Sequence, residues 1–288
     1  MKTTDETTMN LVLQGLPGCM PSLERIAALT APERTVRVSA TALRCEGISY
    51  SEALRQTIDV AANAAQLDAT FFVGARKLDD FRLVAMDMDS TLITIECIDE
   101  IADMQGLKPQ VAEITEAAMR GELDFAASLR RRVSLLKGLD ATALERVYEE
   151  RLGLSPGAEN MLKAVQAAGM KTLLVSGGFT YFTERLQARL GLDYAHANML
   201  EIVDGRLTGE VLGGIVDAEV KKQTVEHVCA ALGISPSQAI VMGDGANDLK
   251  MMGIAGMSVA FRAKPVVREQ ADVALNYVGL DGILNLLS

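Results

Sequence analysis

The chain contains no tryptophan and only two histidines, His196 and His227. A Ser-His-Asp relay needs a histidine beside its nucleophile. Neither histidine lies in a motif of that kind, so acid–base work falls to carboxylates. The four cysteines, Cys19, Cys45, Cys97 and Cys229, form no C-x-x-C pair and suit no familiar zinc framework. The reading that remains is reduced thiols in a cytosolic protein. Basic residues are outnumbered, 28 against 38 acidic ones, for a net charge of −10. A nucleic-acid binder usually carries a basic surplus or stripe, and the one dense basic run here, Arg130-Arg131-Arg132, is short and helical in pattern. No apolar run approaches the ~20 residues that span a bilayer, and residues 1–8 lack the apolar core of a signal peptide. A soluble, cytoplasmic protein is expected, with no nucleic-acid and no membrane partner. Neither a Walker A sequence nor a G-x-G-x-x-G fingerprint is present, so ATPase and dinucleotide-binding functions lose support.

What is present suffices for a large domain plus a small one: 288 residues, 49% of them hydrophobic. Residues 1–80 read as a small α+β unit. Strand patterns over 10–14, 35–44 and 69–73 alternate with helical ones over 21–29 and 51–67; within 35–44, Val36, Val38 and Ala40 share a face. A charged connector at 77–80 sets a boundary near residue 80. From 81 to 288 short apolar strands over 83–86, 171–175, 239–242, 258–261 and 273–275 alternate with helical stretches over 156–168, 180–190, 220–232 and 279–287. That order predicts an α/β fold with a Rossmann-like parallel sheet covered on both faces, its ligand at the carboxyl ends of the strands. Residues 97–157 are almost wholly helical in pattern and read as a cap inserted after the first core strand. Asp204-Gly205, between alternating segments, predicts a hairpin.

Three strands end in unusual polar clusters: Asp87-Met88-Asp89-Ser90-Thr91, Ser176-Gly177-Gly178 and Gly243-Asp244-Gly245-Ala246-Asn247-Asp248. Asp is common in turns and helix caps, but three clusters at corresponding places exceed what turns require. Asp87 and Asp89, two residues apart, face one side of an extended chain and repel each other. With Asp244 and Asp248 they form a set of hard oxygen donors without a nearby His or Cys, which suits Mg²⁺. Ser176 with two glycines ahead of a helix suits a phosphate, or is a plain helix cap.

The set Asp87-x-Asp89-x-Thr91, Ser176, a downstream lysine and Gly243-Asp244-Gly245-x-Asn247-Asp248 resembles the haloacid dehalogenase superfamily of phosphotransferases, in that family's order and over residues 81–288. The resemblance implies that Asp87 is a covalent nucleophile and that Asp89 protonates the leaving group and then activates water. It implies Mg²⁺ on Asp87, Asp244 and the backbone carbonyl of Asp89, with Asp248 behind these ligands or among them. Ser176, Gly177, Asn247 and the lysine would hold the phosphate. The family's spacing, 23 positions before Asp244, selects Lys221, with its neighbour Lys222 as the alternative.

The cap should select the substrate. With 124–138 drawn as a helix, Phe125, Leu129, Val133 and Leu136 form an apolar stripe, and Arg132 falls within it. A guanidinium there needs a partner. It fits a carboxylate bidentately, unless it snorkels to the surface or pairs with a cap glutamate. Glu96, within the apolar run 93–98, could bind an ammonium group or serve the cap hinge. A Glu nine residues after Asp87, and the stretch Phe125-x-x-Ser128-Leu129-Arg130-x-Arg132-Val133-x-Leu135-Leu136, resemble the phosphoserine phosphatase branch of the superfamily. That resemblance implies hydrolysis of O-phosphoserine, the last step of serine biosynthesis, with Met119 and Phe125 lining the serine side of the pocket. It also implies an ACT-like N-terminal unit, for which a packing extension without ligand is the alternative, and permits a homodimer. A phosphatase or phosphotransferase acting on another small phosphomonoester would share the same chemistry.

Overall fold

The computed structural model describes residues 8–119 and 122–287. The N-terminal unit runs β1 (Thr8–Gln14), α1 (Met20–Ala27), β2 (Arg34–Ser39), β3 (Ala42–Ser49), α2 (Glu52–Ala64), β4 (Asp68–Phe72). Its antiparallel sheet has the order β2-β3-β1-β4, a βαββαβ ferredoxin-like arrangement. Alternation explains the layering. Leu11, Leu13, Leu43 and Cys45 point to one face, where Leu23 and Ile26 of α1 and Ile58 of α2 cover them. The single strand expected over 35–44 is instead two, joined by a tight turn with Ser39 opposite Ala42. The turn residues, Ala40 and Thr41, carry no Gly, Pro or Asn signal. The Ser39 hydroxyl accepts the Thr41 N–H at 3.2 Å and supplies the turn chemistry instead.

The opposite face of this sheet docks on the C-terminal part of the chain. Val12 joins the main hydrophobic core. Asn285 Nδ2 donates to Gln14 Oε1 at 2.8 Å. The buried Asp68 carboxylate accepts the backbone N–H groups of Asn276, Tyr277 and Val278 at 2.8, 3.0 and 3.0 Å.

The second sheet comprises β5 (Leu83–Met86), β6 (Lys171–Phe179), β7 (Tyr194–Val203), β8 (Arg206–Leu212), β9 (Ala239–Gly243), β10 (Met257–Phe261) and β11 (Val273–Leu275). Their order is β11-β10-β9-β5-β6-β7-β8, all parallel except the β7–β8 hairpin. Both faces are covered, so its central strands read as unbroken apolar runs. Leu83, Ala85, Leu173 and Val175 belong to one core, and Val84, Met86, Leu174 and Met242 to the other. β7 starts at Tyr194, well before the hairpin segment visible in the sequence, because polar residues break the apolar pattern at its start. The terminal stretch expected to be helical is a 3₁₀ helix, Leu280–Asn285.

Between β5 and β6 stands the helical cap: α3 (Cys97–Asp103), α4 (Lys108–Met119), α5 (Phe125–Ser134) and α6 (Thr142–Glu150). Asp124 starts α5 by accepting the Ala127 N–H at 2.7 Å. Leu129, Val133 and Leu136 are buried as the stripe requires, although the helix closes at Ser134. The remaining helices are α7 (Ala158–Ala167), α8 (Thr180–Leu190), α9 (Ala218–Ala231), α10 (Leu249–Met252) and α11 (Pro265–Arg268).

Candidate active site

The three polar clusters meet where β5, β6 and β9 end. Asp87 extends β5 by one hydrogen bond, its N–H to the Met242 carbonyl at 3.0 Å. Its side chain is buried. Oδ1 accepts the Met88 N–H at 2.7 Å, and Oδ2 lies 2.8 Å from Lys221 Nζ. Lys221 comes from the first turns of α9, is fully buried, and also donates to Asp248 Oδ1 at 2.8 Å. The adjacent Lys222 points away and pairs with Glu226 at 3.7 Å on the helix surface. After Asp87 the chain turns sharply, with Ser90 in the left-handed region at φ 55°, a strained conformation for a residue with a Cβ. The turn brings Asp89 back to the start of the cap, where the Cys97 N–H donates to its Oδ1 at 3.2 Å.

Asp248 ties the third cluster together. Its Oδ2 accepts the N–H groups of Asp244 and Gly245, both at 3.1 Å. Position 243 must be glycine, since a Cβ there would collide with the Asp248 side chain. Thr91 Oγ1 donates to Asp244 Oδ1 at 3.3 Å, and Lys264, capping α11, donates its N–H to the Asp244 carbonyl at 3.2 Å. At the end of β6, Ser176 is buried and its Oγ accepts the Gly178 N–H at 2.8 Å. A Cβ on Gly178 would come within 2.8 Å of Asp89 Oδ2, so glycine allows the second and first clusters to approach.

A cavity of about 530 Å³ opens above these strand ends, lined by Asp87, Asp89, Gly177, Asp244 and Asn247 below and by Glu96, Phe125 and Arg132 on the cap side. Glu96 caps α3, and its Oε1 accepts the Ser90 hydroxyl at 2.6 Å. Arg132 is only partly exposed. Its Nε is buried without a hydrogen-bond partner, and its guanidinium has no ion-pair partner within 4.0 Å among the described residues. The side chain of Met119 lies outside the described residues.

The electrostatics follow from crowding acids into a buried space. Burial and the Asp248 charge push the Asp87 carboxyl well above its ordinary range, against the pull of Lys221. Burial and then Glu96 raise Asp89 to about 7. Burial and then Asp248 raise Asp244 to about 7. Burial alone would depress Lys221, but Asp248 and Asp87 outweigh it and hold the ammonium above its usual value. Burial lowers Arg132, while Asp99, Glu96 and Asp89 partly restore it.

Three comparisons bear on this arrangement. The model of the haloacid dehalogenase-like hydrolases matches residues 81–256. The chain belongs to the haloacid dehalogenase-like hydrolase family. A phosphoserine phosphatase of a Polaromonas species is 58% identical over 216 residues, which cover 73% of this chain and 92% of that one. Among solved structures, a HAD family hydrolase from Salmonella enterica serovar Typhi superposes with a TM-score of 0.86 at 34% identity, covering 97% of this chain and 98% of the other. A probable phosphoserine phosphatase from Vibrio cholerae superposes with a TM-score of 0.81 at 36% identity, covering 98% and 86%.

Carboxylate oxygens of Asp87, Asp244 and Asp248 in this hydrolase lie within 4.8 Å of one another. Three hard oxygen donors, short of positive charge and with no imidazole or thiolate among them, fit a divalent oxygen-seeking cation. The Asp89 carboxylate is not part of this group; the ligand expected from Asp89 is its carbonyl. The sequence reading missed Asn198. This buried residue of β7 donates from Nδ2 to the Gly177 carbonyl at 2.8 Å and accepts the Val216 N–H on Oδ1 at 2.8 Å. A lone Asn in a strand carries no motif. The one available signal was a polar residue in an otherwise apolar strand stretch.

Proposed function

We propose that this enzyme is a phosphoserine phosphatase, cleaving O-phospho-L-serine to serine and phosphate through an aspartyl phosphate on Asp87. The observation that carries the substrate is Arg132: a guanidinium with a buried, unpartnered Nε faces the same cavity as Asp87, with Glu96 on that wall too. Arg132 suits the substrate carboxylate, and Glu96 suits its ammonium group. The name of the Polaromonas relative supports the same reading.

In the first step a carboxylate oxygen of Asp87 attacks phosphorus. The bond from phosphorus to the serine oxygen breaks, and Asp89 gives its proton to the departing alkoxide. An acid raised to about 7 can still hold that proton near neutral pH. In the second step Asp89 takes a proton from water, the water oxygen attacks phosphorus, and the Asp87 carboxylate leaves. Lys221 offsets charge on Asp87 and the phosphoryl group, while Ser176, Gly177 and Asn247 hold phosphoryl oxygens. A divalent cation, Mg²⁺ in this reading, held by Asp87, Asp244 and the Asp89 carbonyl with Asp248 adjoining, supplies further charge neutralisation.

The reading extends to a soluble cytoplasmic enzyme, with an ACT-like unit before the hydrolase domain and subunits that pair as homodimers. Among the described residues no helix is long and apolar enough to cross a membrane. Phosphate release from a panel of phosphomonoesters tests the substrate. O-phosphoserine should exceed phosphothreonine and sugar phosphates in kcat/KM. Equal turnover across the panel would leave a general phosphomonoesterase.

A further inference from the structure

Among the described residues, five acidic side chains line the active-site cavity, against two cations, Arg132 and Lys264. Lys221 is buried, and its charge is already shared between Asp87 and Asp248 at 2.8 Å. The chain as a whole carries a net charge of −10. A phosphomonoester is an anion, so its entry is opposed by this field unless a cation that is not already paired stands at the cavity. Arg132 belongs to the cap. On the core side Lys264 meets the requirement. It is exposed, and its ammonium group makes no hydrogen bond, and no ion pair within 4.0 Å, among the described residues.

The backbone fixes where Lys264 stands. β10 ends at Phe261, and Arg262 then turns the chain in the left-handed region, at φ 47°. A residue with a Cβ keeps that conformation only where its surroundings hold it; here the Arg262 N–H donates to the Leu275 carbonyl at 2.7 Å. Two residues later the Lys264 N–H donates to the Asp244 carbonyl at 3.2 Å, so the side chain starts beside the strand-end acids. Pro265 follows and favours the extended backbone that Lys264 adopts, with φ −63° and ψ 151°. The Lys264 charge reaches across the cavity: burial raises the Glu96 carboxyl, and Ser90, Arg132 and Lys264 pull against that rise. The geometry points to Lys264 as a docking residue for the phosphate group of the substrate. Its ammonium group pairs with a phosphoryl oxygen and offsets the acids of the cavity, for any phosphomonoester alike. This rests on the reading that the cavity takes a phosphomonoester, and not on which one.

Two measurements on the full chain test this role: calorimetric titration with inorganic phosphate, and steady-state kinetics with O-phosphoserine and p-nitrophenyl phosphate. Lys264→Met keeps the backbone N–H to Asp244 and an unbranched, exposed side chain, so the fold is retained. At low ionic strength it should weaken phosphate binding by about tenfold and raise KM for both substrates by a similar factor. Over the same change kcat should move by less than about twofold, as the loss of a contact made equally in the ground and transition states requires. The deficit should shrink to a few-fold at about 0.5 M salt, because an exposed charge is screened. Lys264→Arg should return affinity and KM close to wild type, and Lys264→Glu should weaken both by about a further tenfold. Unchanged phosphate affinity in Lys264→Met would overturn the assignment, as would a fall in kcat as large as that in kcat/KM. A loss confined to O-phosphoserine would also overturn it, by placing Lys264 at the amino-acid end of the substrate. Arg132→Met is expected to separate the two substrates and Lys264→Met is not, and the phosphate titration needs neither, so the substrate reading and the Lys264 assignment fail independently.

Discussion

On the core side of the active-site cavity the charges are cross-linked: Lys221 reaches both Asp87 and Asp248 at 2.8 Å, and Asp248 holds the N–H groups of Asp244 and Gly245. On the cap side Arg132 keeps a buried Nε with no partner among the described residues, and Glu96 accepts the Ser90 hydroxyl. The two halves differ in what completes them. The core side is largely organised by its own residues, as electrostatic preorganisation of a reaction requires. In the proposed reading the substrate completes the cap side, so that its two charges select the molecule while the core side breaks the bond.

The largest effect should come from Asp87→Asn. It removes the nucleophile while keeping the shape, and should lower kcat by at least about 10⁴-fold for every phosphomonoester. The acid-stable, alkali-labile phosphoenzyme trapped by a rapid quench should disappear with it. Substantial turnover in that variant would detach the chemistry from β5. Lys221→Met comes next and separates two adjacent lysines. It leaves Asp87 and Asp248 buried together without their counter-charge, so it should cost about 3–5 kcal/mol in denaturant unfolding as well as most activity. Lys222→Ala removes only a surface pair and should stay within about 0.5 kcal/mol of wild type. If the two variants behaved alike, burial would not be what distinguishes these lysines.

A smaller and more selective effect is expected on the cap. Arg132→Met should reduce kcat/KM for O-phosphoserine roughly 10- to 100-fold, the worth of one charge-assisted hydrogen-bonded contact. It should change p-nitrophenyl phosphate, which has no carboxylate, by much less. Comparable losses on both substrates would mean that Arg132 supports the cap rather than reading the ligand, and the contrast between the two halves would then fail.

How far the site could be read in advance follows the same division. Strands β5, β6 and β9 are short apolar runs that break abruptly into Asp87, Ser176 and Gly243-Asp244, and the rule that parallel strands present their carboxyl ends to one crevice brings those three together. Local pattern was sufficient there. It failed at β2–β3, where the Ser39 hydroxyl rather than a glycine closes the turn, and at β7, whose first residues mix Tyr194 and His196 with alanines. Arg132 could be placed on an apolar helix face from periodicity. That its Nε would be left without a partner depends on where α3 and the loop after β5 pack, which no local pattern encodes.

Asn198 is the clearest case of a residue hidden by non-local wiring, and it carries the smallest of these predictions. Its two partners, the Gly177 carbonyl and the Val216 N–H, lie 21 positions before it and 18 after it, so no window of sequence joins them. The Asn198 side chain links the Ser176-Gly177 stretch of β6 to the strand-to-helix segment just before α9, the helix that carries Lys221. Asn198→Ala takes the side-chain partner from the part-buried Gly177 carbonyl and from the buried Val216 N–H, which should destabilise the fold by about 1–3 kcal/mol. The end of β6 that presents Gly177 to the cavity should then be less well fixed, and kcat should fall several-fold with little change in the preference for O-phosphoserine, because Arg132 and Glu96 stand on the other wall. Asn198→Asp restores an acceptor for Val216 but offers no donor to Gly177, so it should recover little of the loss. A variant that altered substrate preference while keeping kcat would place Asn198 with the cap-side residues instead.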